Sequence, residues 1–294
     1  MNLFRAIYDS FPANIRIKIR SLVPNSIKRW YAHKRTDIYL ISYPKCGRTW
    51  LRLMIGKAIS QHFSLPENEE TLFLNWSKRA HPDLPIITVI HEDRPMLKSP
   101  DELQTSKAKY SQKKIILLVR DPRDIIISSY FEMKKRSQLF GENPYENRSP
   151  FFEGSLGEFI NQQRGGFHTI LRYYNIWAEN KHVPKGFLLV RYEDMRADPQ
   201  KELRRVVNFL GLSAINNENL SQAVEYASFD NMRNMEKEGR FSSGILNPVS
   251  LADKESYKTR RGKIRGFVDY LDDAEIKNIN QKMLELNDFY GYTL

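Results

Sequence analysis

The most constraining feature of the 294-residue sequence is a short apolar run that leads through a basic turn into a helical pattern. Residues 38–41 have the composition of a buried strand, and residues 49–59 carry apolar side chains at helical spacing. Between them lie Pro44, Lys45 and Gly47, residue types that suit a tight turn with an added positive charge. Free N–H groups at the start of a helix attract anions, and Lys45 would strengthen that attraction. The sequence therefore predicts a strand–loop–helix unit with an anion site at the loop.

The loop does not match the nucleotide-binding P-loop, because that pattern ends in Gly-Lys-Ser/Thr. Here the lysine precedes the glycine, and no Gly-Lys-Ser/Thr occurs in the chain. Residues 43–50, Tyr-Pro-Lys-Cys-Gly-Arg-Thr-Trp, instead resemble the 5′-phosphosulfate loop of the cytosolic-type sulfotransferases, Tyr-Pro-Lys-Ser-Gly-Thr-Thr-Trp. The resemblance implies that the sulfate end of a donor nucleotide is bound by Lys45, Cys46, Gly47, Arg48, Thr49 and Trp50. The alternative is an ordinary strand-to-helix turn with a solvated lysine.

A second apolar run, residues 115–119, is typical of a parallel strand buried on both faces, and it ends at Arg120. Open α/β sheets bind their ligands at the carboxyl ends of strands. The segment resembles the sulfotransferase 3′-phosphate site, in which an Arg at a strand end and a Ser eight residues later hold the phosphate. The resemblance assigns these roles to Arg120 and Ser128, and an arginine fork suits a phosphate edge. A local salt-bridge cap between Arg120 and Asp124 is the alternative, and it is compatible with phosphate binding.

A third resemblance lies near the end of the chain, where Arg260-Arg261-Gly262 is similar to the Arg-Lys-Gly of the family's 3′-phosphate element. The alignment puts Arg265 at the family's second Gly and Phe267 at its Trp. It therefore leaves the loop geometry near Arg265 open, since glycine adopts backbone conformations that other residues avoid. A solvated basic surface is the alternative for this segment.

Three apolar or aromatic residues fall where the family lines its adenine pocket. Tyr192 follows the apolar run at residues 187–190, and Phe229 and Met232 lie in a segment similar to the family's Thr-Ser-Phe-x-x-Met. Taken singly, each is a residue type expected in a core. Their order along the chain favours the adenine pocket that the resemblance implies.

His91 is the candidate general base, because it follows a β-rich run at residues 86–90 and histidine suits proton transfer near neutral pH. In the family a strand ends in Lys-Thr-His with the His as base. Here Val89 stands where the family has Lys, so only the His is matched. Glu92 or Asp93 could serve instead, or His91 could simply cap the strand.

Composition favours a cytoplasmic location. The chain has one Cys, so it cannot form an internal disulfide, and a reducing compartment is the natural interpretation. No apolar run is long enough to cross a bilayer, and the N-terminus lacks the apolar core of a signal peptide. Cys46 lies in the anion loop, where positive potential would lower its pKa; we treat it as a small packed residue without a redox role.

The formal net charge of the chain is +11, and much of it lies in residues 1–36, which hold eight Lys and Arg residues and one acidic residue, Asp9. Apolar residues are interleaved with these charges, so this basic N-terminal extension could contact an anionic membrane surface or pack on the rest of the protein. The sequence argues against nucleic-acid binding, because no recognised motif for it is present.

The apolar runs alternate with helical stretches, which predicts one α/β domain over residues 37–294 with a central parallel sheet and helices on both faces, similar to the P-loop NTPase fold. The resemblance implies a sulfotransferase that uses 3′-phosphoadenosine 5′-phosphosulfate (PAPS) as donor, releases adenosine 3′,5′-bisphosphate (PAP) and needs no metal. Its acceptor would be a small molecule, carbohydrate or lipid with a hydroxyl or amine. A P-loop kinase and a noncatalytic nucleotide-binding or membrane-associated protein remain alternatives.

Aromatic residues in the two unmatched regions of the sequence are expected to form the acceptor pocket or its lid. They are Phe73, Trp76, Phe140, Tyr145, Phe151 and Phe152.

Overall fold

A computed structural model describes residues 23–75, 80–136 and 151–293. Backbone contacts divide the chain into two units, Met1–Thr36 and Asp37–Leu294. In the first unit the described residues, 23–36, contain helix α1, Asn25–Arg35, which has no acidic residue in its first turn and three basic residues in its last. Within the described part of the chain, no helix is both long enough and apolar enough to cross a membrane.

The second unit is built on a sheet of four parallel strands in the order β2-β1-β3-β4. The strands are β1 (Ile38–Ser42), β2 (Ile87–Ile90), β3 (Lys114–Val119) and β4 (Gly186–Arg191). All five residues of β1 are buried, so both faces of the sheet are covered at its centre. The predicted α/β class with a parallel sheet is confirmed.

Helices connect the strands and complete the core. They are α2 (Arg48–His62), α3 (Glu69–Leu72), α4 (Pro122–Lys135), α5 (Leu156–Asn161), α6 (Phe167–Glu179), α7 (Tyr192–Ala197), α8 (Pro199–Phe209), α9 (Asn217–Tyr226), α10 (Phe229–Lys237) and α11 (Asp273–Met283). Short 3₁₀ helices lie at Pro95–Leu97, Pro100–Glu102, Ala108–Tyr110, Lys254–Ser256, Gly266–Asp269 and Asp288–Tyr290.

The strand order places a topological switch point beside β1. The chain runs from β1 to β2 on one side and then crosses to β3 on the other, so the loops that follow β1 and β3 separate and leave a crevice. The carboxyl ends of β2, β1, β3 and β4 consequently present His91, the Lys45 loop, Arg120 and Tyr192 in that spatial order. Residues far apart in sequence are thereby brought to one edge of the sheet.

Candidate active site

The loop after β1 has the geometry of an anion site. Lys45 and Gly47 both have positive φ, 73° and 88°, and α2 begins at Arg48 without a side-chain cap. The N–H groups of its first turn are therefore free to bind an anion. Gly47 is required sterically as well, because a Cβ at this position would lie 2.7 Å from Cδ2 of Tyr192.

Arg120 lies at the end of β3, on the other side of the crevice. Its Nη2 donates to the carbonyl of Lys263 at 2.9 Å and lies 3.4 Å from a carboxylate oxygen of Asp124. The guanidinium carbon is 4.4 Å from the ring centroid of Tyr192, and Nε is buried without a hydrogen-bond partner. A buried donor without a partner fits a site for a bound acceptor such as phosphate oxygen.

Asp124 joins the C-terminal basic segment to this part of the site. Its carboxylate accepts hydrogen bonds from the backbone N–H groups of Arg265 at 2.9 Å and Phe267 at 3.1 Å. Arg265 has φ 56°, the left-handed conformation that glycine adopts readily, and Phe267 is buried. The loop geometry that the alignment left open is thus glycine-like at Arg265, and these hydrogen bonds offset the strain of a side chain there.

Aromatic and apolar side chains line the cavity beside Lys45 and Arg120. Tyr192 packs edge-on against Trp50 with ring centroids 5.8 Å apart, and Met232 is buried next to the cavity. Gly262 has φ 60°, and a Cβ there would lie 2.8 Å from the Phe229 ring. Flat apolar surfaces of this kind can hold a nucleobase.

His91 is held in the tautomer that a general base needs. Its Nδ1 lies 2.9 Å from the carbonyl oxygen of Ser42, and because a carbonyl only accepts, Nδ1 carries the hydrogen and Nε2 is left unprotonated. Burial, followed by the positive charge of Arg48, lowers the pKa of His91 well below its ordinary value. The imidazole is therefore neutral at physiological pH.

The two alternative bases do not line the cavity. Glu92 is buried and bonded to Lys107 at 2.8 Å and to Lys109 at 3.1 Å. Asp93 pairs with Lys98 and accepts from the N–H of Gln104. Both carboxylates are occupied by partners away from the crevice.

A cavity of about 530 Å³ joins these elements. It is lined by every predicted site residue except one: Lys45, Gly47, Arg48, Thr49, Trp50, His91, Arg120, Ser128, Tyr192, Phe229, Met232, Arg260, Arg261 and Gly262. The exception is Cys46, whose side chain is fully buried, with its sulfur 3.5 Å from the hydroxyl of Tyr174. The expectation of a lowered pKa was wrong, because burial raises the pKa of Cys46 to about 12.

The aromatic residues expected to form the acceptor pocket do not line this cavity where the structure describes them. Phe73 packs on Phe241 with ring centroids 4.7 Å apart, and Phe152 packs on Phe159 at 5.0 Å. Phe151 is 39% exposed and is also absent from the lining. Phe73 and Phe152 thus pack on other aromatic rings, and the role of these residues in an acceptor pocket or its lid stays a prediction. Trp76, Phe140 and Tyr145 lie outside the described residues.

The structure adds three charged residues that sequence reasoning missed: Glu132, Arg136 and Lys258. Glu132 accepts from Lys45 Nζ at 2.6 Å and lies 3.2 Å from Nε of Arg136. Burial opposes ionisation of Glu132, but Lys45 and Arg136 outweigh it and lower its pKa to about 2. Burial also lowers the pKa of Lys258, to about 7. Helical spacing could have identified Glu132, because it lies one turn after Ser128.

Comparisons with known proteins agree with this geometry. A family model described as "Sulfotransferase domain" matches residues 35–288. Cytosolic sulfotransferase 12 of Arabidopsis thaliana is 27% identical over 279 residues, covering 88% of this chain and 79% of its own. Flavonol 3-sulfotransferase of Flaveria bidentis is 26% identical over 270 residues, covering 83% and 80%.

Solved structures show the same fold. Mouse sulfotransferase SULT7A1 complexed with PAP has a TM-score of 0.56 at 22% identity and covers 85% of this chain and 84% of its own. Retinol dehydratase in complex with androsterone and the inactive cofactor PAP has a TM-score of 0.57 at 16% identity, covering 85% and 80%.

Among the described residues, no group of three or more His, Cys, Asp and Glu side chains could hold a metal ion. Because the family model matches residues 35–288, most of this chain, the chain belongs to the sulfotransferase domain family and is a sulfotransferase.

Proposed function

We propose that this enzyme transfers a sulfuryl group from PAPS to a hydroxyl or amine of an acceptor molecule. The observation that carries the proposal is the convergence of the Lys45 loop and Arg120 on one cavity at the switch point between β1 and β3. Two anion sites on either side of one crevice suit a nucleotide with phosphate groups at both ends.

The donor is proposed to lie across this crevice. Lys45, Thr49 and the first N–H groups of α2 would bind its 5′-phosphosulfate end. The 3′-phosphate would be bound by Arg120, Ser128 and the segment Arg260, Arg261 and Gly262. The adenine would lie against Trp50, Tyr192, Phe229 and Met232. The side chain of Cys46 has no contact role in this assignment, because it points into the core.

At the 5′-phosphosulfate end of the donor, the reaction would be a direct in-line transfer of the sulfuryl group. A new bond forms between the acceptor oxygen or nitrogen and sulfur while the bond from sulfur to the bridging oxygen of the donor breaks. Nε2 of His91 takes the acceptor proton, and Lys45 stabilises the charge that grows on the departing phosphate, so PAP leaves. Positioning and preorganised charge would supply most of the rate enhancement, as in phosphoryl transfer.

A calorimetric titration tests the donor assignment. We expect PAP to bind without magnesium, and Arg120→Ala to weaken that binding by about tenfold to a hundredfold, because a charge-assisted bidentate contact is lost. Arg164→Ala is the matched control, since Arg164 is 60% exposed in the ion pair that it makes with Glu102. Preference for ATP with magnesium over PAP would contradict the proposal and favour a kinase.

The acceptor is proposed to be a small molecule, carbohydrate or lipid met in the cytoplasm, with residues 1–36 in peripheral contact with an anionic membrane. Helix α1 supports that contact because it exposes Ile27, Trp30 and Tyr31 beside basic side chains. We expect the protein to float with phosphatidylglycerol vesicles and not with phosphatidylcholine vesicles. The double variant Lys28→Glu, Arg29→Glu should lose this binding; equal recovery of both proteins with anionic vesicles would contradict the contact.

A further inference from the structure

Four cationic side chains that line the cavity lack an acidic partner among the described residues, and one of them, the exposed Arg196, lies instead over the Trp50 ring on the donor side. No hydrogen bond or ion pair joins the side chains of Arg48, Arg94 or Lys258 to another described residue. Nη1 of Arg48 is buried without any hydrogen-bond partner. Buried cations usually have a partner, so the lack of one among the described residues at Arg48 and Lys258, which are both half-buried in this cavity, indicates that a ligand supplies the negative charge.

The cations on the donor side of the cavity differ in this respect. Arg120 lies beside Asp124, Arg260 pairs with Glu255 at 2.8 Å, and Arg261 pairs with Asp269 at 2.7 Å. Each therefore already has an acid to offset its charge before any ligand binds. Arg48, Lys258 and the exposed Arg94 have no such acid among the described residues, and they form the group considered next.

The position of that group is on the acceptor side. Arg94 follows the carboxyl end of β2, only three residues after His91. Arg48 and Lys258 are both close enough to His91 for their charges to help lower its pKa. Of the acids near Lys258, Glu132 already binds Lys45 and Arg136, and Glu236 accepts from the backbone N–H groups of Lys258 and Thr259. Arg48 and Lys258 thus lie near the group that would take the acceptor proton, and Arg94 lines the same cavity.

The net charge of the side chains that line the cavity also favours an anionic acceptor. Its lining holds ten Lys and Arg side chains against two acids, Asp124 and Glu132. Glu255 and Asp269, which pair with Arg260, Arg261 and Lys263 from outside the lining, reduce the excess to six positive charges, and a donor with a phosphate and a phosphosulfate offsets about four of these. A neutral, apolar acceptor would close the cavity over the remaining cations and leave them without a counter-charge, which is unfavourable.

We propose, building on the proposed function, that the acceptor is itself anionic: it carries a carboxylate or sulfate-ester group close to the hydroxyl or amine that receives the sulfuryl group, and this anion is bound by Lys258, Arg48 and Arg94. An acidic sugar and a phenolic acid share this chemistry. The anion would fix the acceptor with its hydroxyl or amine toward Nε2 of His91, and the unpaired cations would thereby select the acceptor.

The test compares matched ligands on the protein saturated with PAP, which fills the nucleotide part of the donor site and leaves its sulfate position empty. Transfer from PAPS, which fills both, distinguishes an anion bound as part of the acceptor from one bound in the sulfate position. Methyl glucuronide is compared with methyl glucoside, and 4-hydroxyphenylacetate with the neutral 4-hydroxyphenylethanol, by calorimetric titration and by transfer of labelled sulfate from PAPS. We expect the anionic member of at least one pair to bind at least tenfold more tightly. The pair that responds distinguishes a sugar from a phenol. Equal affinity within both pairs would overturn the inference.

Variants of Lys258 distinguish two roles for this cation: binding the anionic group of the acceptor, and stabilising the sulfuryl group during its transfer. Lys258→Met should reduce the preference for the anion about tenfold and leave the Kd of PAP within twofold, whereas Lys258→Arg should keep the preference. Because the pKa of Lys258 is about 7, the preference should fall as the pH rises from 6 to 8.5 in the wild type and stay constant in Lys258→Arg.

Two other results have different meanings. If Lys258→Met slows transfer equally to neutral and anionic acceptors, the cation serves the sulfuryl group and the inference is wrong. If PAP does not bind the wild-type protein, the proposed function itself fails. The PAP titration therefore distinguishes failure of the function from failure of the acceptor assignment.

Discussion

Replacing His91 by alanine is expected to lower the turnover of sulfuryl transfer by about 10²- to 10⁴-fold, the range typical of a lost general base. The structure gives the reason: Nδ1 is committed to the Ser42 carbonyl, so Nε2 is free to accept a proton. The affinity for PAP should change little, because His91 has no place in the proposed donor site and Arg120 follows β3, which lies across β1 from β2. Initial rates with labelled PAPS, together with a PAP titration, measure the two effects separately.

The pH profile supplies a second check on His91. A base must be unprotonated, and the pKa of His91 is lowered well below its usual value by burial and by Arg48. Turnover should therefore be independent of this group through neutral pH and fall only when the pH drops well below 6.5.

The matched control for His91 is His168→Ala. His168 is exposed at the start of α6 and lies 3.2 Å from a carboxylate oxygen of Glu285, so its removal should leave turnover unchanged. Retained turnover in His91→Ala would assign proton removal to solvent, because Glu92 and Asp93 are bonded to lysines outside the cavity.

Much of the fold and the donor side of the site could be predicted from the sequence, because these features depend on local patterns. The run at residues 115–119 could be identified as a strand by its apolar composition alone, and the structure has β3 at Lys114–Val119. Arg120 could be placed beside the Lys45 loop because the carboxyl ends of parallel strands share one edge of a sheet.

What could not be predicted depends on long-range packing. The contact of Lys45 with Glu132 joins residues 87 positions apart, and Lys258 approaches His91 from a segment that has no regular secondary structure. The burial of Cys46 against Tyr174 likewise reverses the pKa shift expected from its basic neighbours. Sequence spacing alone carries no information on such contacts.

Lys45→Met is expected to lower turnover by about 10²- to 10³-fold, comparable to the loss of one preorganised donor to a developing negative charge. Methionine fills a similar volume without the charge, and Glu132 keeps its contact with Arg136, so the carboxylate is not left alone in the cavity. Lys57→Met is the matched control: it lies on the same helix α2 but does not line the cavity, and its ammonium pairs with Glu67.

The division between kcat and binding decides what Lys45 does. In the free enzyme its ammonium is bonded to Glu132 at 2.6 Å, so binding a donor requires this ion pair to be shared or exchanged. Ground-state binding therefore gains little net energy from Lys45, whereas charge that develops on the departing phosphate during transfer gains more. We accordingly expect kcat to fall much further than the affinity for PAP. A loss confined to PAP affinity, with kcat within threefold of wild type at saturating PAPS, would show that Lys45 only holds the donor, and stabilisation of the leaving phosphate would then have to come from the N–H groups at the start of α2.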